Sequence, residues 1–163
     1  MIRYVQALAL AGTLLLCAGH ISFAQPAPAE LVKQRQDAME KLWPDDYRDV
    51  SRTLKTDKPD LALVAAKSAQ AIEALNRLAT LFPPGTGRDA VPSTRAKPEI
   101  WSNRSEFEAT LGALVDANKT LGDDAKARNV EKVKADWTNL AKACGGCHGG
   151  PVKSGGKFRF EKE

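Results

Sequence analysis

The sequence predicts an all-α protein folded as an antiparallel four-helix bundle. Apolar residues recur every three or four positions along most of the chain, and no stretch shows the sustained alternation of a strand. Breaks rich in proline and glycine separate four such helical patterns. Four amphipathic helices with mostly short joints and one long loop are typical of a bundle, whose core can hold a cofactor between facing helices.

The first two helices are delimited by prolines. The first carries one largely apolar stripe, which consists of Leu31, Arg35, Met39 and Leu42. It is expected to end at Pro44, because proline lacks the N–H that a continuing helix needs. The second helix is expected to begin near Pro59, and its stripe runs from Leu61 to Phe82 before two prolines stop it. Residues 82–98 then read as one long surface loop.

The third and fourth helices follow this loop. The third is expected to start between Asn103 and Ser105 and to stop at Gly122, since glycine commonly ends a helix. Asp123 or Asp124 can then cap the fourth helix. Its inward face carries Val130, Val133, Trp137, either Leu140 or Ala141, and Cys144. The tail, residues 149–163, is rich in glycine at its start and is expected to be irregular.

Residues 1–24 are expected to be a signal peptide, removed after Ala24. Arg3 supplies the positive start, a short apolar stretch follows, and Ser22 and Ala24 are small residues of the kind that signal peptidase requires. The alternative is a lipoprotein acylated at Cys17, but the residue before it is the large Leu16. The apolar stretch is too short to span a membrane, so no stable membrane insertion is expected. Residues 25–163 would form a single domain in the periplasm.

The charge pattern argues against nucleic acid as a ligand. The net charge is +4, basic and acidic residues are interspersed, and aromatic residues make up only 6% of the chain. Lys142, Lys153 and Lys157 near the end of the chain could attract acidic partners, or could form an ordinary solvated face.

A single motif gathers the reactive side chains. Without the signal peptide, the chain keeps only two cysteines and one histidine, and they form Cys144-Gly-Gly-Cys147-His148. This Cys-x-x-Cys-His spacing is that of haem attachment. The two thiols form thioethers with the vinyl groups of one haem c, and His148 then ligates the iron. On a helix all three side chains can face one way.

Three other interpretations of the motif remain open. A disulfide between Cys144 and Cys147 would close a very small loop and stabilise little. A thioredoxin-like redox pair expects a βαβ setting, which the helical patterns do not provide. Zinc usually takes four ligands, and the chain without its signal peptide offers three Cys or His residues in one short motif.

The sequence resembles the class II c-type cytochromes, a family that includes cytochrome c′ and its low-spin relatives. The resemblance covers residues 30–148 and has four parts. They are Gln34-Arg35-Gln36 with Met39, Phe82-Pro83-Pro84-Gly85-Thr86-Gly87, Ala96-Lys97-Pro98-Glu99-Ile100-Trp101, and a Cys-x-x-Cys-His motif near the C-terminus rather than the N-terminus.

The resemblance implies roles for several residues. His148 would be the proximal iron ligand, and Arg35 would lie near the haem propionates, although it could instead extend to water. Family members often form homodimers through their first two helices. Relatives commonly place Phe-Arg three and four residues after the histidine. Here Phe158 and Arg159 stand seven residues further along the chain than that pair does in relatives, which leaves the role of Arg159 open.

The function expected first is that of a periplasmic one-electron carrier serving redox partner proteins. In this interpretation Met39, the one methionine left after signal removal, is the sixth iron ligand. Methionine is also a flexible core filler, and the alternative function is a five-coordinate haem that binds nitric oxide or carbon monoxide. Catalysis is not expected, because no second histidine remains to serve as a distal acid or base.

Overall fold

The bundle predicted from the sequence is confirmed by a computed structural model that describes residues 26–149 and 155–160. Its elements in chain order are α1 (Pro28–Glu40), a π-helical segment (Lys41–Tyr47), α2 (Arg48–Thr53), α3 (Leu61–Ala79), α4 (Glu99–Ser102), α5 (Arg104–Lys126) and α6 (Val130–His148). These residues contain no strand, only an isolated antiparallel bridge between Ala96 and Arg159. None of their helices combines the length and apolar character needed to cross a membrane.

The first bundle helix does not end at Pro44, contrary to the prediction. Helical turns continue to Thr53 through the π-helical segment. Pro44 cannot donate the hydrogen bond of an α-helix, and the residues around it adopt wider turns instead. Leu42 and Tyr47 are both buried although they are five residues apart. That spacing lies outside the α-helical pattern of three and four, so the stripe of the first helix does not lead to Tyr47.

The second bundle helix, α3, starts slightly later than predicted. The side chain of Asp60 caps it by accepting a hydrogen bond of 3.0 Å from the backbone N–H of Leu63. The helix ends at Ala79, so Leu81 and Phe82 enter the core from the loop and not from the helix.

The joint between α5 and α6 also differs from the prediction. Gly122 does not stop the helix, which continues to Lys126. A Cβ added at Gly122 would lie 3.1 Å from Cβ of Ser68, so this glycine allows α3 and α5 to approach closely. Neither predicted aspartate caps α6. Asn129 does so, by accepting a hydrogen bond of 3.2 Å from the backbone N–H of Lys132.

The helices pack in sequence around the core. α5 lies between α3 and α6, and the first helix packs on α3. α1 and α6 share at most slight backbone contact. The face of α6 that was predicted to point inward is covered by protein only in part: Val133 and Leu140 are buried, whereas Trp137 and Cys144 are half-buried. The half-buried residues lie where a cofactor could complete the core.

The C-terminal tail turns back across the end of α6. The backbone N–H of Phe158 donates to the carbonyl oxygen of Cys147 (3.3 Å), and that of Lys97 donates to the carbonyl oxygen of Phe158 (3.1 Å). The Phe158 ring is buried and lies edge-on to Phe107, with ring centroids 5.4 Å apart. Residues 155–160 are irregular, and they tie the long loop to the cysteine motif. The predicted signal peptide, Cys17 and residues 150–154 lie outside the described residues.

Candidate functional site

The predicted cysteine motif occupies the last turns of α6. Cys144 and Cys147 are free, half-buried cysteines, and His148 follows at the end of the helix. A Cβ added at Gly146 would lie 3.2 Å from Cγ2 of Thr110, so a small residue inside the motif lets α6 lie close to α5. The spacing of three and four residues directs the two thiols and the imidazole to one side of the helix.

Burial keeps both thiols protonated at neutral pH. It raises the pKa of Cys147 to about 11, with a smaller contribution from Cys144, and it also raises the pKa of Cys144. A redox-active pair needs a lowered thiol pKa, so the thioredoxin-like alternative is not supported. Among residues 26–149 and 155–160, no three His, Cys, Asp or Glu side chains gather to hold a metal ion, which leaves the zinc alternative unsupported as well.

His148 has the properties of an iron ligand. Burial, followed by the positive charges of Arg159 and Arg95, lowers its pKa to about 4, so the imidazole is neutral at pH 7. Its Nδ1 atom is buried and makes no hydrogen bond within the described part of the chain. A neutral imidazole beside two half-buried thiols is the donor set that covalent haem requires. The residues present therefore fit this cofactor.

Arg159 reaches the surroundings of His148 in spite of its displaced position in the sequence. The bridge between Ala96 and Arg159 draws it back to the end of α6, and burial together with Arg95 lowers its own pKa. The sequence analysis missed Arg95, which comes from the long loop. No local pattern marks it, because its position depends on the pairing of loop and tail.

Arg35 is buried and does not extend to water, so that alternative is excluded. Its guanidinium donates hydrogen bonds to the carbonyl oxygens of Leu81 (2.8 Å) and Thr86 (3.0 Å) and to the hydroxyl of Thr86. It also stacks on the ring of Phe82, 4.2 Å from its centroid. Burial lowers its pKa to about 10, which leaves it charged at neutral pH. Three of its five N–H groups are used here, so pairing with a propionate stays a prediction.

Met39 lies one turn after Arg35 on the same face of α1. It is half-buried and packs against the core. The structure does not bring α1 and the motif on α6 into close contact. The two halves of the predicted site thus face the interior from different helices, and iron ligation by Met39 stays a prediction.

Tyr47 and Asn118 are site residues that the sequence analysis missed. The Tyr47 hydroxyl donates to Oδ1 of Asn118 (3.0 Å), and its ring lies edge-on to Trp137 at 5.7 Å between centroids. Burial raises the pKa of Tyr47, and the nearby Cys144 adds to this increase. Tyr47 and Trp137 therefore form an aromatic wall beside the first cysteine. The five-residue spacing to Leu42 was the signal that could have revealed Tyr47.

Comparison with known proteins identifies relatives of this arrangement. A family model described as Cytochrome C′ matches residues 30–150. Cytochrome c′ of Rubrivivax gelatinosus is 30% identical over 122 residues, which cover 74% of this chain and 92% of the relative. Cytochrome c-556 of Rhodopseudomonas palustris is 30% identical over 150 residues, covering 85% and 91%. A solved nitric oxide complex of the L16A mutant of cytochrome c prime from Alcaligenes xylosoxidans superimposes with a TM-score of 0.70 at 24% identity, covering 85% of this chain and 100% of that one.

Proposed function

The chain belongs to the cytochrome c′ family and carries covalently attached haem c, and from this premise we propose that its iron binds nitric oxide or carbon monoxide. The observation that carries the proposal is the family match over residues 30–150, together with the nitric oxide complex solved for the Alcaligenes relative. These findings support gas binding better than the electron carrier that the sequence analysis put first.

Each part of the motif has a defined task in this proposal. Cys144 and Cys147 would hold the haem, and the neutral imidazole of His148 would ligate its iron. Bound haem supplies an iron that cycles between the ferric and ferrous states and can accept one further ligand. Tyr47 and Trp137, whose rings pack edge-on, would lie beside the haem near Cys144 and would limit the access of water to it. Arg35 fixes the loop around Thr86 against α1.

An electron carrier is the second candidate function, and one observation favours it. Met39 is half-buried on the interior face of α1, one turn from the buried Arg35. A thioether there could serve as the sixth ligand and raise the haem potential. In that case the iron would have no open position for a gas. The two functions thus differ in whether the sulfur of Met39 ligates the iron.

The optical spectrum separates the two functions. In the gas-binding proposal, the unmodified holoprotein is expected to give a high-spin spectrum and to bind carbon monoxide rapidly when reduced. Met39→Leu, which keeps the volume but removes the sulfur, should then leave both properties unchanged. A low-spin spectrum with a sulfur-to-iron band, converted to high spin by Met39→Leu, would contradict gas binding and support the electron carrier.

We also propose that the protein is exported to the periplasm, because its sequence combines a haem-attachment motif with a predicted signal peptide. The chain is expected to lose residues 1–24, so that the exported protein begins at Gln25. The intact mass of the holoprotein recovered from the periplasm checks this cut together with the haem. A mass that includes the first 24 residues would contradict it.

A further inference from the structure

The surface of the first bundle helix carries a groove next to the π-helical segment. We call it the Trp43 groove. Its volume is about 240 Å³, and its lining consists of Trp43, Tyr47, Arg48, Ser51, Arg52 and Lys55. Trp43 is 66% exposed and is the one large hydrophobic residue that is exposed among the described residues. An exposed indole costs hydration free energy, and tryptophan is enriched in protein-binding surfaces.

The charge around the Trp43 groove is positive. Arg48, Arg52 and Lys55 line it, and none of the acidic side chains that the structure describes does. Arg52 lies 3.6 Å from Asp49 in an exposed ion pair, while Arg48 and Lys55 are exposed on the same surface. An aromatic residue flanked by two arginines is the composition of a binding hot spot. The matching partner surface is acidic.

Tyr47 connects the Trp43 groove to the proposed haem site. One part of its side chain lines the groove, yet the residue is only 5% exposed, and its ring packs against Trp137. Trp137 lies two turns before Cys144 on α6, where one thioether would form. A partner seated in the groove would therefore contact Tyr47, whose ring packs against the helix that carries the proposed haem attachment.

From this arrangement we propose that the Trp43 groove docks an acidic electron-donor protein, which reduces the haem through the Tyr47 and Cys144 edge. The step transfers one electron: the donor centre is oxidised by one electron, ferric iron becomes ferrous, and no bond is made or broken. A second copy of this chain is disfavoured as the occupant when the groove packs on itself, because that contact would oppose like charges. The inference rests on the proposed attachment of haem at Cys144.

The test measures reduction of the holoprotein by flavodoxin hydroquinone, used as an acidic one-electron donor. Arg48→Glu/Lys55→Glu reverses the charge of the groove, and Lys134→Glu/Lys142→Glu makes the same charge change on exposed positions of α6. The groove variant is expected to lower the second-order rate constant about tenfold at low salt, with the α6 variant little changed. Reduction by neutral lumiflavin semiquinone should stay the same in both.

Three results would overturn the docking site. An equal decrease in both variants would assign the effect to net charge, and a larger decrease in the α6 variant would place docking beside the motif. No decrease in either would remove the electrostatic basis of the proposal.

Binding is measured separately, by titrating oxidised flavodoxin into the protein by calorimetry. Trp43→Ala should weaken the affinity, and an unchanged affinity would contradict the role of the indole. Because this measurement does not need haem reduction, it distinguishes failure of the groove from failure of the haem assignment. Sedimentation of the unmodified protein and of the Trp43→Ala variant tests whether the chain self-associates through the groove. A dimer that this substitution converts to a monomer would identify a second copy as the occupant and overturn the proposal.

Discussion

Replacing both Cys144 and Cys147 with alanine is expected to leave any haem extractable with acidic acetone, whereas the unmodified holoprotein should retain it. The thiols are free, half-buried and three residues apart on α6, as two thioether bonds to one haem require. The loss should be complete, because His148 alone gives only a coordinate bond that acid breaks.

Mass spectrometry after production with a cytochrome c maturation system provides the measurement. Cys144→Ala and Cys147→Ala as single variants are the matched controls, since each leaves one thiol able to form a thioether. They should keep part of their haem through extraction. Release of haem from the unmodified protein would show that the thioether assignment is wrong.

Arg35→Ala is expected to destabilise the holoprotein by about 3 kcal/mol. The change removes charge-assisted hydrogen bonds to Leu81 and Thr86 and leaves buried oxygens without their donor, and each such loss costs about 1–3 kcal/mol. It also removes the contact between the guanidinium and the Phe82 ring. Denaturant unfolding measures the change as a lower midpoint with an unchanged slope.

Arg104→Ala is a suitable control for this prediction. Arg104 also donates to a loop carbonyl, that of Phe82 at 2.9 Å, but its side chain is 39% exposed and its loss should cost less. The reduction potential tests the other role of Arg35. If Arg35 also pairs with a propionate, its removal shifts the potential, whereas an unchanged potential across the neutral pH range would restrict Arg35 to holding the loop.

The sequence predicted those parts of the fold that follow from short-range periodicity. Stripes with spacings of three and four identified all four bundle helices, and prolines located the long loop. The errors occurred where tertiary contact overrides a local preference. Gly122 was expected to stop α5, but the proximity of Ser68 explains the glycine inside a continuing helix. Pro44 was expected to end the first helix, but wider turns carry the chain past it.

The candidate site was likewise predictable only where it follows from a short stretch of sequence. Cys144, Cys147 and His148 form a contiguous motif whose spacing carries its chemistry, so the sequence alone could identify them. Arg95 and Tyr47 come from distant segments and reach the site through the loop–tail bridge and the helix packing. No local pattern marks Arg95, and the sequence signals Tyr47 only through its five-residue spacing from Leu42. The bonds of Arg35 to the loop were unpredictable for the same reason.

The wide turns of the π-helical segment determine where the first helix tolerates a change in length. A single deletion within a regular α-helix turns every later residue by about 100° around the axis and would rotate side chains such as Leu75 out of the core. Between Leu42 and Tyr47 the spacing is one residue longer than an α-helical turn needs, although both side chains are buried. Removing one residue there would give the spacing of four that an ordinary helix places on one face. The π-helical segment thus accommodates one extra residue, and Val50 and Leu54 beyond it remain buried.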